Sequence, residues 1–522
     1  MATETKVTYA TLSADDEEMH SQFDAGIANA RASLGRTTPL YIGADARAAS
    51  ATTASTSPAD TRIVVANVAA GTSEDVNDAM KAARAAFPGW RATPWPERAA
   101  ILARAAEEVR RRRYELSAFL ILEMGKNRLE ALGEIEELAD LILYYNAQMK
   151  ENDGYVRPMA NLGPNDRNTS VLRPYGVWGV IAPWNFPYAL LGAPIAAALL
   201  AGNTVVAKPS SDTPLSGVLV GEIFRQAGLP AGVLNLVTGS GRVVGKTLVE
   251  HADLDGITFT GSYEVGFRDL FQRFAVRYPK PCIVEMGGKN PAIVMDSADL
   301  ERAVTGVFRS AFGMNGHKCS ACSRVYVHRN VADEFISRLV RRTEEARIGD
   351  PLERGVFLGP VATKSSLADY ERFVAIARRE GVVRTGGERL SGEAHAHGYF
   401  VRPTIVTGLP QEHELMRQEL FVPILAVTPV ADFDDAIARA NDTDFGLTAG
   451  IFTNQKAEID GFLDRIQAGV VYVNRAAGAT TGAWPGVQPF GGWKASGSTG
   501  KNIGGLYTLP TYLREQSRTV VS

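Results

Sequence analysis

The sequence predicts an α/β protein with two parallel-sheet domains. Between residues 175 and 288, five short apolar runs of β-type residues alternate with helical stretches. Five similar runs follow between residues 290 and 454. Because parallel strands need crossover connections, such an alternation places helices on both faces of a sheet. A chain of 522 residues with 45% hydrophobic content is also long enough for two or three cores, so we expect two α/β domains that meet near residue 287.

The chain opens with a helix-rich part. Residues 1–38 form an N-terminal extension, and the small, polar residues 44–59 predict an irregular approach to the first domain. Apolar residues at three- and four-residue spacing predict helices over 73–87, 96–124 and 128–150.

Two series of strands follow these helices. The first series is predicted at 176–184, 203–210, 233–239, 256–262 and 281–288. The second is predicted at 290–295, 323–328, 404–409, 423–430 and 448–454, with helices at 331–346 and 432–441 between its strands. The tail after Gly504 alternates like an edge strand without a partner in its own chain, so we expect it to pair with another subunit.

Composition excludes several classes of partner. The net charge is −3, with acidic and basic residues interspersed, which argues against nucleic acid and membrane-surface binding. Three cysteines are too few for a disulfide framework in a chain of this length and fit a reducing compartment, so we expect the cytoplasm. The acidic N-terminus is unlike a secretory signal, and the apolar run 188–201 is too short to span a bilayer.

The stretch "AFGMNGHKCSACSR", residues 311–324, contains two of the three cysteines in Cys-x-x-Cys spacing. Such a pair can be a redox dithiol, half of a metal site, or one nucleophile beside a bystander. Zinc needs four ligands, and Cys282 with seven scattered histidines supplies no matching second half, so no metal site is predicted. Locally, the commonest role of either cysteine is that of a buried, inert side chain.

Two further polar residues end apolar strands. Glu285 in "EMGGKN" precedes a Gly-Gly turn, where a carboxylate is either a general base or a turn cap. Asn185 in "PWNFP" can donate to an oxyanion or cap the helix that follows. The residues alone leave both alternatives open.

Glycine-rich stretches suggest phosphate binding. "TGSGRVVG", 238–245, and "FTGSYEVG", 259–266, each follow a strand, and the second places a glycine and a hydroxyl before a helix N-terminus. Lys208 in "AKPS" ends another strand and can reach a ribose or a phosphate. The alternatives are ordinary turn glycines and an exposed lysine.

Seven motifs in order, "PWNFP", "AKPS", "FTGS", "EMGGKN", "GHKC", "ELFVP" and "QPFGG", resemble those of the aldehyde dehydrogenase superfamily. The resemblance extends from about Pro39 to the C-terminus. It implies a Rossmann-like dinucleotide-binding domain, a catalytic domain and a β-arm for oligomerisation. The corresponding segments are 39–154 with 176–286, then 287–487, and finally 155–175 with 505–522.

The resemblance also implies roles for single residues. Cys319 becomes the nucleophile and Cys322 a bystander, Asn185 and the backbone N–H of Cys319 bind the oxyanion, and Glu285 activates water. The implied cofactor is NAD, with NADP use left open, and the implied assembly is a homodimer or higher homo-oligomer. The cofactor-binding residues implied by the motifs are Trp184, Lys208, Ser211, Gly261, Ser262, Glu419 and Phe421.

Within the superfamily, "GHKCSACSR" and "GATTGAWPGVQPFGG" are most similar to the subfamily that oxidises L-glutamate 5-semialdehyde, the open form of 1-pyrroline-5-carboxylate. The similarity implies that backbone N–H groups near Gly482 and Ala483 bind the substrate carboxylate, with Ser320 beside them and Phe186 and Phe490 along the aliphatic chain. The alternatives are another aldehyde, such as succinate semialdehyde, or a non-catalytic member of the fold.

Three residues depart from the family pattern. His317 stands where glutamine is more usual, and we expect it to pack or make a backbone contact rather than tune the pH response. Ser211 replaces a glutamate found in NAD-selective members, so NADP is repelled less. Val422 replaces a glycine in "ELFVP" and can alter how Glu419 approaches a ribose.

Overall fold

The computed structural model describes residues 8, 12, 15–275, 278–477 and 484–522. Two seven-stranded sheets dominate this part of the chain. In spatial order, the strands of the first sheet are Cys282–Glu285, Gly256–Thr260, Val177–Ile181, Thr204–Lys208, Leu234–Leu236, Leu40–Ile42 and Asp45–Arg47. Those of the second are Val382–Thr385, Thr404–Thr407, Ile424–Val430, Cys322–His328, Asn290–Val294, Thr448–Phe452 and Val470–Val473.

Both sheets are mainly parallel, as the sequence predicts. Five strands of the first sheet run parallel, and the hairpin Leu40–Arg47 extends its edge in antiparallel fashion. Six strands of the second sheet run parallel, and Val382–Thr385 closes it as an antiparallel edge. All ten strand positions predicted in the two series are therefore confirmed.

The register of the first sheet aligns the carboxyl ends of neighbouring strands. Ile181 pairs with Lys208, and Thr260 pairs with Glu285. In the second sheet Asn290 pairs with Cys322 at the start of both strands. Since only a short link separates Glu285 from Asn290, the carboxyl edge of the first sheet faces the amino edge of the second.

Fourteen α-helices lie within the described residues, and they are Glu17–Ala32, Ser73–Ala92, Trp95–Arg111, Arg113–Met124, Arg128–Glu151, Ala189–Ala201, Pro214–Gln226, Lys246–Glu250, Leu300–Phe312, Ala332–Glu344, Lys364–Glu380, Glu414–Arg417, Phe433–Asn441 and Lys456–Arg465. The single helix predicted over 96–124 is wrong in one respect. It breaks at Arg112, whose φ of −99° and ψ of 8° are not helical. The hydrophobic pattern continues through this break, so periodicity alone does not reveal it.

The irregular approach predicted for residues 44–59 is wrong as well. Thr52–Thr56 forms a strand that pairs antiparallel with Val64–Ala69, which also pairs with Arg36–Thr38. The threonines in this segment favour extended structure, but their partner strand comes later in the chain. The predicted N-terminal extension likewise contains the helix Glu17–Ala32, whose buried Met19, Phe23 and Ile27 pack on the core.

The C-terminal tail forms a strand with a partner inside its own chain. Leu513–Val521 pairs antiparallel with Asp166–Pro174, which pairs in turn with Val156–Pro158. The expectation that the tail lacks an internal partner is therefore wrong, because its partner lies about 340 residues earlier, beyond the reach of local patterns. We call these three strands the arm sheet.

The helix Ala189–Ala201 is buried on nearly every side because almost all of its residues are apolar. It packs closely on the helix Arg128–Glu151, since a Cβ on Gly192 would lie 2.5 Å from Leu138. The helix ends at Gly202, whose φ of 96° favours glycine. None of the described helices is both long and apolar enough to cross a membrane.

Candidate active site

A cavity of about 1510 Å³ lies where the carboxyl edge of the first sheet faces the second sheet. Its wall includes most of the residues that the sequence motifs single out: Trp184, Asn185, Lys208, Ser211, Gly261, Ser262, Cys319, Glu419, Phe421 and Val422. The fold thus brings motifs spread over more than two hundred residues onto one surface.

Other predicted residues, Glu285 among them, do not line this cavity. Phe186 is buried beneath the ammonium of Lys126, whose Nζ lies 3.9 Å from the ring centre. Phe490 makes a two-way backbone bridge with Ile503, and the hydroxyl of Ser320 is buried without a hydrogen-bond partner among the described residues. Gly482 and Ala483 lie outside the described residues.

Cys319 lies in a tight turn between the helix Leu300–Phe312 and the strand Cys322–His328. The backbone before it passes through the left-handed region at Met314, Asn315 and Gly316. The turn is held from behind, because the Asn290 side chain donates to the Cys319 carbonyl at 2.7 Å and to the Ala321 carbonyl at 2.9 Å. The sulfur-bearing residue is therefore fixed against the second sheet.

The Cys319 thiol has a raised pKa. Burial is the main cause, and the neighbouring carboxylates Glu419 and Glu285 add to it. Backbone N–H groups of Ser320 and of Cys319 itself act in the opposite direction, because they hydrogen-bond the thiolate. The sulfur is therefore protonated at neutral pH in the ligand-free protein, and it must lose this proton before it can attack a carbonyl carbon.

Cys322 belongs to the core rather than to the cavity. It is buried, its sulfur lies 3.4 Å from the Arg324 carbonyl, and burial raises its pKa to about 12. It does not line the cavity, whereas Cys319 does. This geometry favours one half-buried nucleophile on the cavity wall over a cooperating dithiol.

Glu285 is the last residue of its strand and is buried. Its backbone carbonyl accepts from the N–H of Gly261 at 3.0 Å, which ties it to the neighbouring strand. One carboxylate oxygen has no hydrogen-bond partner among the described residues. Burial raises the pKa of Glu285 to about 8, so this group can take up a proton near neutral pH.

The amide of Asn185 is positioned by His317, because its Nδ2 donates to the His317 carbonyl at 3.0 Å. The His317 ring lies edge-on to Trp184 at 4.9 Å and parallel to Phe421 at 6.0 Å. Burial and the charge of Lys126 lower the pKa of His317 to about 3, so the ring is uncharged. These contacts agree with the expected packing role.

Lys208 and Glu419 place opposite charges on the cavity wall. Lys208 donates to the Pro209 carbonyl at 2.9 Å, and burial lowers its pKa to about 8. Glu419 accepts from the Gly288 N–H at 3.1 Å, and burial raises its pKa to about 7. Gly287 leaves room for the Glu419 carboxylate in this position, because a Cβ would lie 2.0 Å from it.

Both glycine-rich stretches form helical turns that begin at the cavity. Ser262 accepts from the Val265 N–H at 3.4 Å, at the start of Glu264–Phe271. Ser240 accepts from the Val243 N–H at 3.2 Å, at the start of Gly241–Gly245. The second turn places Arg242 on the cavity wall. These N-termini supply N–H groups and a positive field suited to phosphate.

Comparison with known proteins identifies the family. The family described as Aldehyde dehydrogenase matches residues 46–517. The chain belongs to the aldehyde dehydrogenase family.

Its relatives include 1-pyrroline-5-carboxylate dehydrogenase from Bacillus cytotoxicus, which is 40% identical over 93% of both chains. The Bacillus subtilis protein named 1-pyrroline-5-carboxylate dehydrogenase 2 is 39% identical over 97% of this chain and 96% of its own. The crystal structure of a Thermus 1-pyrroline-5-carboxylate dehydrogenase with bound NAD superimposes with a TM-score of 0.94 at 35% identity and covers all of both chains. The predicted family and fold class are confirmed.

The sequence patterns did not indicate two residues that support this candidate site, Glu134 and Asn290. Glu134 is fully buried, forms an ion pair with Lys126 and accepts from the N–H groups of Tyr188 and Ala189 at 2.8 and 3.2 Å. It therefore caps the helix that follows Asn185. The available signal was a glutamate on the apolar face of the helix Arg128–Glu151.

Asn290 was missed for a different reason. It is 2% exposed and directly follows the "EMGGK" run, a position that is typical of an ordinary first residue of a strand. Its contacts join parts of the chain that are distant in sequence, so no local pattern indicates them.

Proposed function

We propose that the chain catalyses the NAD-dependent oxidation of L-glutamate 5-semialdehyde, in equilibrium with 1-pyrroline-5-carboxylate, to glutamate. The observation that supports it most is Cys319 on the wall of the same cavity as Asn185 and the two glycine-rich helical turns. The printed names of the relatives support the substrate.

The cavity fits a dinucleotide. Its volume of about 1510 Å³ exceeds the roughly 300–1,000 Å³ of ordinary small-molecule pockets. Ser262 with Gly261 would hold the pyrophosphate at a helix N-terminus, and Lys208 and Glu419 would bind ribose hydroxyls. Phe421 and Trp184, whose rings meet edge-on at 5.4 Å, would pack beside the nicotinamide. When bound, NAD accepts the hydride from the substrate carbon.

In the proposed reaction, Cys319 loses its proton to solvent in the open cavity, its sulfur bonds to the aldehyde carbon, and the electron pair of the C=O double bond moves to the oxygen, which becomes an oxyanion. The Asn185 amide and the Cys319 N–H would donate to this oxygen, each donor being worth about 3 kcal/mol in such sites. Departure of the hydride leaves a thioester on Cys319. Glu285 would then take a proton from water, whose oxygen attacks the thioester carbon and releases glutamate and the thiolate.

The semialdehyde carboxylate would bind to backbone N–H groups at Gly482 and Ala483, as the family resemblance implies. Ser320 would lie beside it, and Phe186 and Phe490 would enclose the aliphatic chain. These assignments rest on the sequence motifs, and they complete a site for an aldehyde that also carries a carboxylate.

NADP is proposed as a second cofactor. Ser211 offers a hydroxyl rather than a carboxylate at the cavity wall, and the exposed Arg242 and Lys246 line the same cavity. Gly245 lies against Lys208, since a Cβ there would approach the lysine side chain to 3.5 Å. The turn with Arg242 is therefore near the ribose-binding lysine, where an arginine can bind a 2′-phosphate.

The arm sheet is proposed to join copies of the chain. Its edge strand Leu513–Val521 exposes Val520 and Val521 at 58% and 69%, and an open strand edge can pair with a second chain. We also propose the cytoplasm as the location, because the cysteines are free thiols.

A four-way assay tests the proposed function. Initial rates of cofactor reduction are measured with glutamate semialdehyde or succinate semialdehyde and with NAD or NADP. We expect the highest kcat/KM for glutamate semialdehyde with NAD, measurable turnover with NADP, and none in Cys319→Ala. A higher kcat/KM for succinate semialdehyde would contradict the proposed substrate, and no turnover with any aldehyde would contradict the proposed enzyme.

A further inference from the structure

The side chain of Asn290 joins three segments behind the Cys319 turn. Its Nδ2 donates to the carbonyls of Cys319 and Ala321, and its Oδ1 accepts from the Thr448 N–H at 2.9 Å. A short planar amide with two donors and an acceptor matches this arrangement, and the amide is only 2% exposed. Its contacts are therefore dry and specific.

The three carbonyls of the turn are all held on one side. Asn290 binds the first and third, and the Thr448 hydroxyl donates to the Ser320 carbonyl at 3.2 Å. Space behind the turn is closed as well, because a Cβ on Gly288 would lie 2.6 Å from both the Cys319 carbonyl oxygen and the Asn290 Oδ1. The turn has no room to rotate its peptide planes.

Fixing a carbonyl also fixes the N–H at the other end of the same peptide. The peptide between Cys319 and Ser320 is planar and trans, so its C=O and N–H point in opposite directions. With the carbonyl held by Asn290 at 2.7 Å, the Ser320 N–H is directed to the opposite side of the peptide, and this N–H lowers the pKa of the Cys319 thiol.

The charges around the sulfur make the Ser320 N–H important for the ionisation of the Cys319 thiol. Besides burial, the charges of Glu419 and Glu285 raise the pKa of the Cys319 thiol and so disfavour its ionisation. The N–H groups of Ser320 and Cys319 act against them. The orientation of this peptide plane therefore controls one of the two backbone contributions that favour ionisation of the sulfur.

We propose that Asn290 is a positioning residue for the reaction: it holds the Cys319 and Ala321 carbonyls so that the Ser320 N–H stabilises the attacking thiolate. The inference rests on the proposed function only in taking Cys319 as the nucleophile. Asn290 acts through the turn and does not line the cavity.

The test uses thiol alkylation, which needs neither substrate nor cofactor. The rate of Cys319 modification by iodoacetamide is followed against pH by peptide mass spectrometry in the wild type, Asn290→Ala and Asn290→Asp. Alanine removes both donors without adding charge, whereas aspartate keeps the acceptor for Thr448. We expect alkylation at pH 7.5 to slow about tenfold, with an apparent thiol pKa about one unit higher, and the hydride burst to slow while the cofactor KM is unchanged.

Asn235 supplies a matched control in the first sheet. Its Nδ2 donates to the carbonyls of Gly232 at 2.8 Å and Val205 at 3.4 Å, and its Oδ1 accepts from the Gly43 N–H at 2.8 Å. It is fully buried and does not line the cavity. The same substitutions at Asn235 should lower the melting temperature to a similar degree and leave Cys319 alkylation unchanged.

The outcomes separate this inference from the proposed function. If the wild type stays active after Cys319 is fully alkylated, the nucleophile assignment is wrong. If alkylation inactivates the wild type but proceeds normally in the Asn290 variants, or slows equally in the Asn235 variants, only the positioning role is overturned. Should neither Asn290 variant fold, Asn290→Ser decides the matter, because one hydroxyl can donate to at most one of the Cys319 and Ala321 carbonyls, and a normal alkylation rate in it overturns the inference.

Discussion

Replacement of Glu285 by glutamine should separate the two halves of the reaction. Glutamine has nearly the shape of glutamate but cannot take a proton from water, so the thioester should form and then persist. We expect a rapid burst of about one reduced cofactor per site in Glu285→Gln, followed by slow turnover. Stopped-flow absorbance at an excess of aldehyde and NAD measures both phases.

The pKa of Glu285 gives this prediction a magnitude. Because burial raises it to about 8, roughly one tenth of the carboxylates are ionised at pH 7 and roughly nine tenths at pH 9. Where deacylation limits turnover, its rate in the wild type should rise about tenfold between these pH values. In Glu285→Gln the residual slow phase should lose this dependence. A slow first turnover without a burst, or a wild-type rate that is flat over this range, would refute the assignment of Glu285 as the deacylation base.

The remaining predictions concern single side chains. Cys319→Ala should abolish turnover and retain NAD binding, measured by calorimetry, whereas Cys322→Ala should keep near-normal kcat; equal losses would restore the dithiol interpretation. His317→Gln should leave the kcat/KM profile between about pH 5 and 8 unchanged, because the pKa of the buried ring is already lowered to about 3, and a shifted profile would contradict this. Arg242→Ala should lower kcat/KM for NADP about tenfold or more with little change for NAD, since it removes a charged hydrogen-bond donor, and equal losses would exclude 2′-phosphate recognition.

Sequence patterns predicted what depends on local order along the chain. The strands of both sheets alternate with helices, and Lys208 and Gly261 sit at or just after strand ends, so the meeting of these two motif residues at one cavity follows from parallel topology. The tail strand Leu513–Val521 could not be paired in this way, because its partner Asp166–Pro174 is remote in sequence and both are polar enough to pair with several strands.

The candidate site shows the same division between local and remote information. Cys319 and Glu285 stand in short motifs, and the resemblance of those motifs to a known family selected them where the residues alone left alternatives open. Glu134 and Asn290 act through backbone groups of distant segments. The sequence does not show which backbone N–H or carbonyl a distant side chain binds. The polar residues that support an active site from behind are thus the hardest to predict, although burial of a charged or amide side chain signals them once the fold is known.

The buried Glu285 should also lower the stability of the folded chain at alkaline pH. The pKa of this acid rises from 4.5 in the unfolded chain to about 8 in the folded chain. Between these two pH values the folded protein keeps the proton and the unfolded chain loses it. Stability from this group is therefore complete below about pH 4.5 and is lost as the pH rises to about 8, by about 5 kcal/mol at most. Glu285→Gln removes this dependence, so its melting temperature should match that of the wild type near pH 5 and exceed it near pH 9, while the exposed Glu393→Gln should track the wild type throughout. A difference between Glu285→Gln and wild type that stays constant with pH would show that the carboxyl is solvated in the folded protein, and the tenfold rise expected for deacylation would lose its basis.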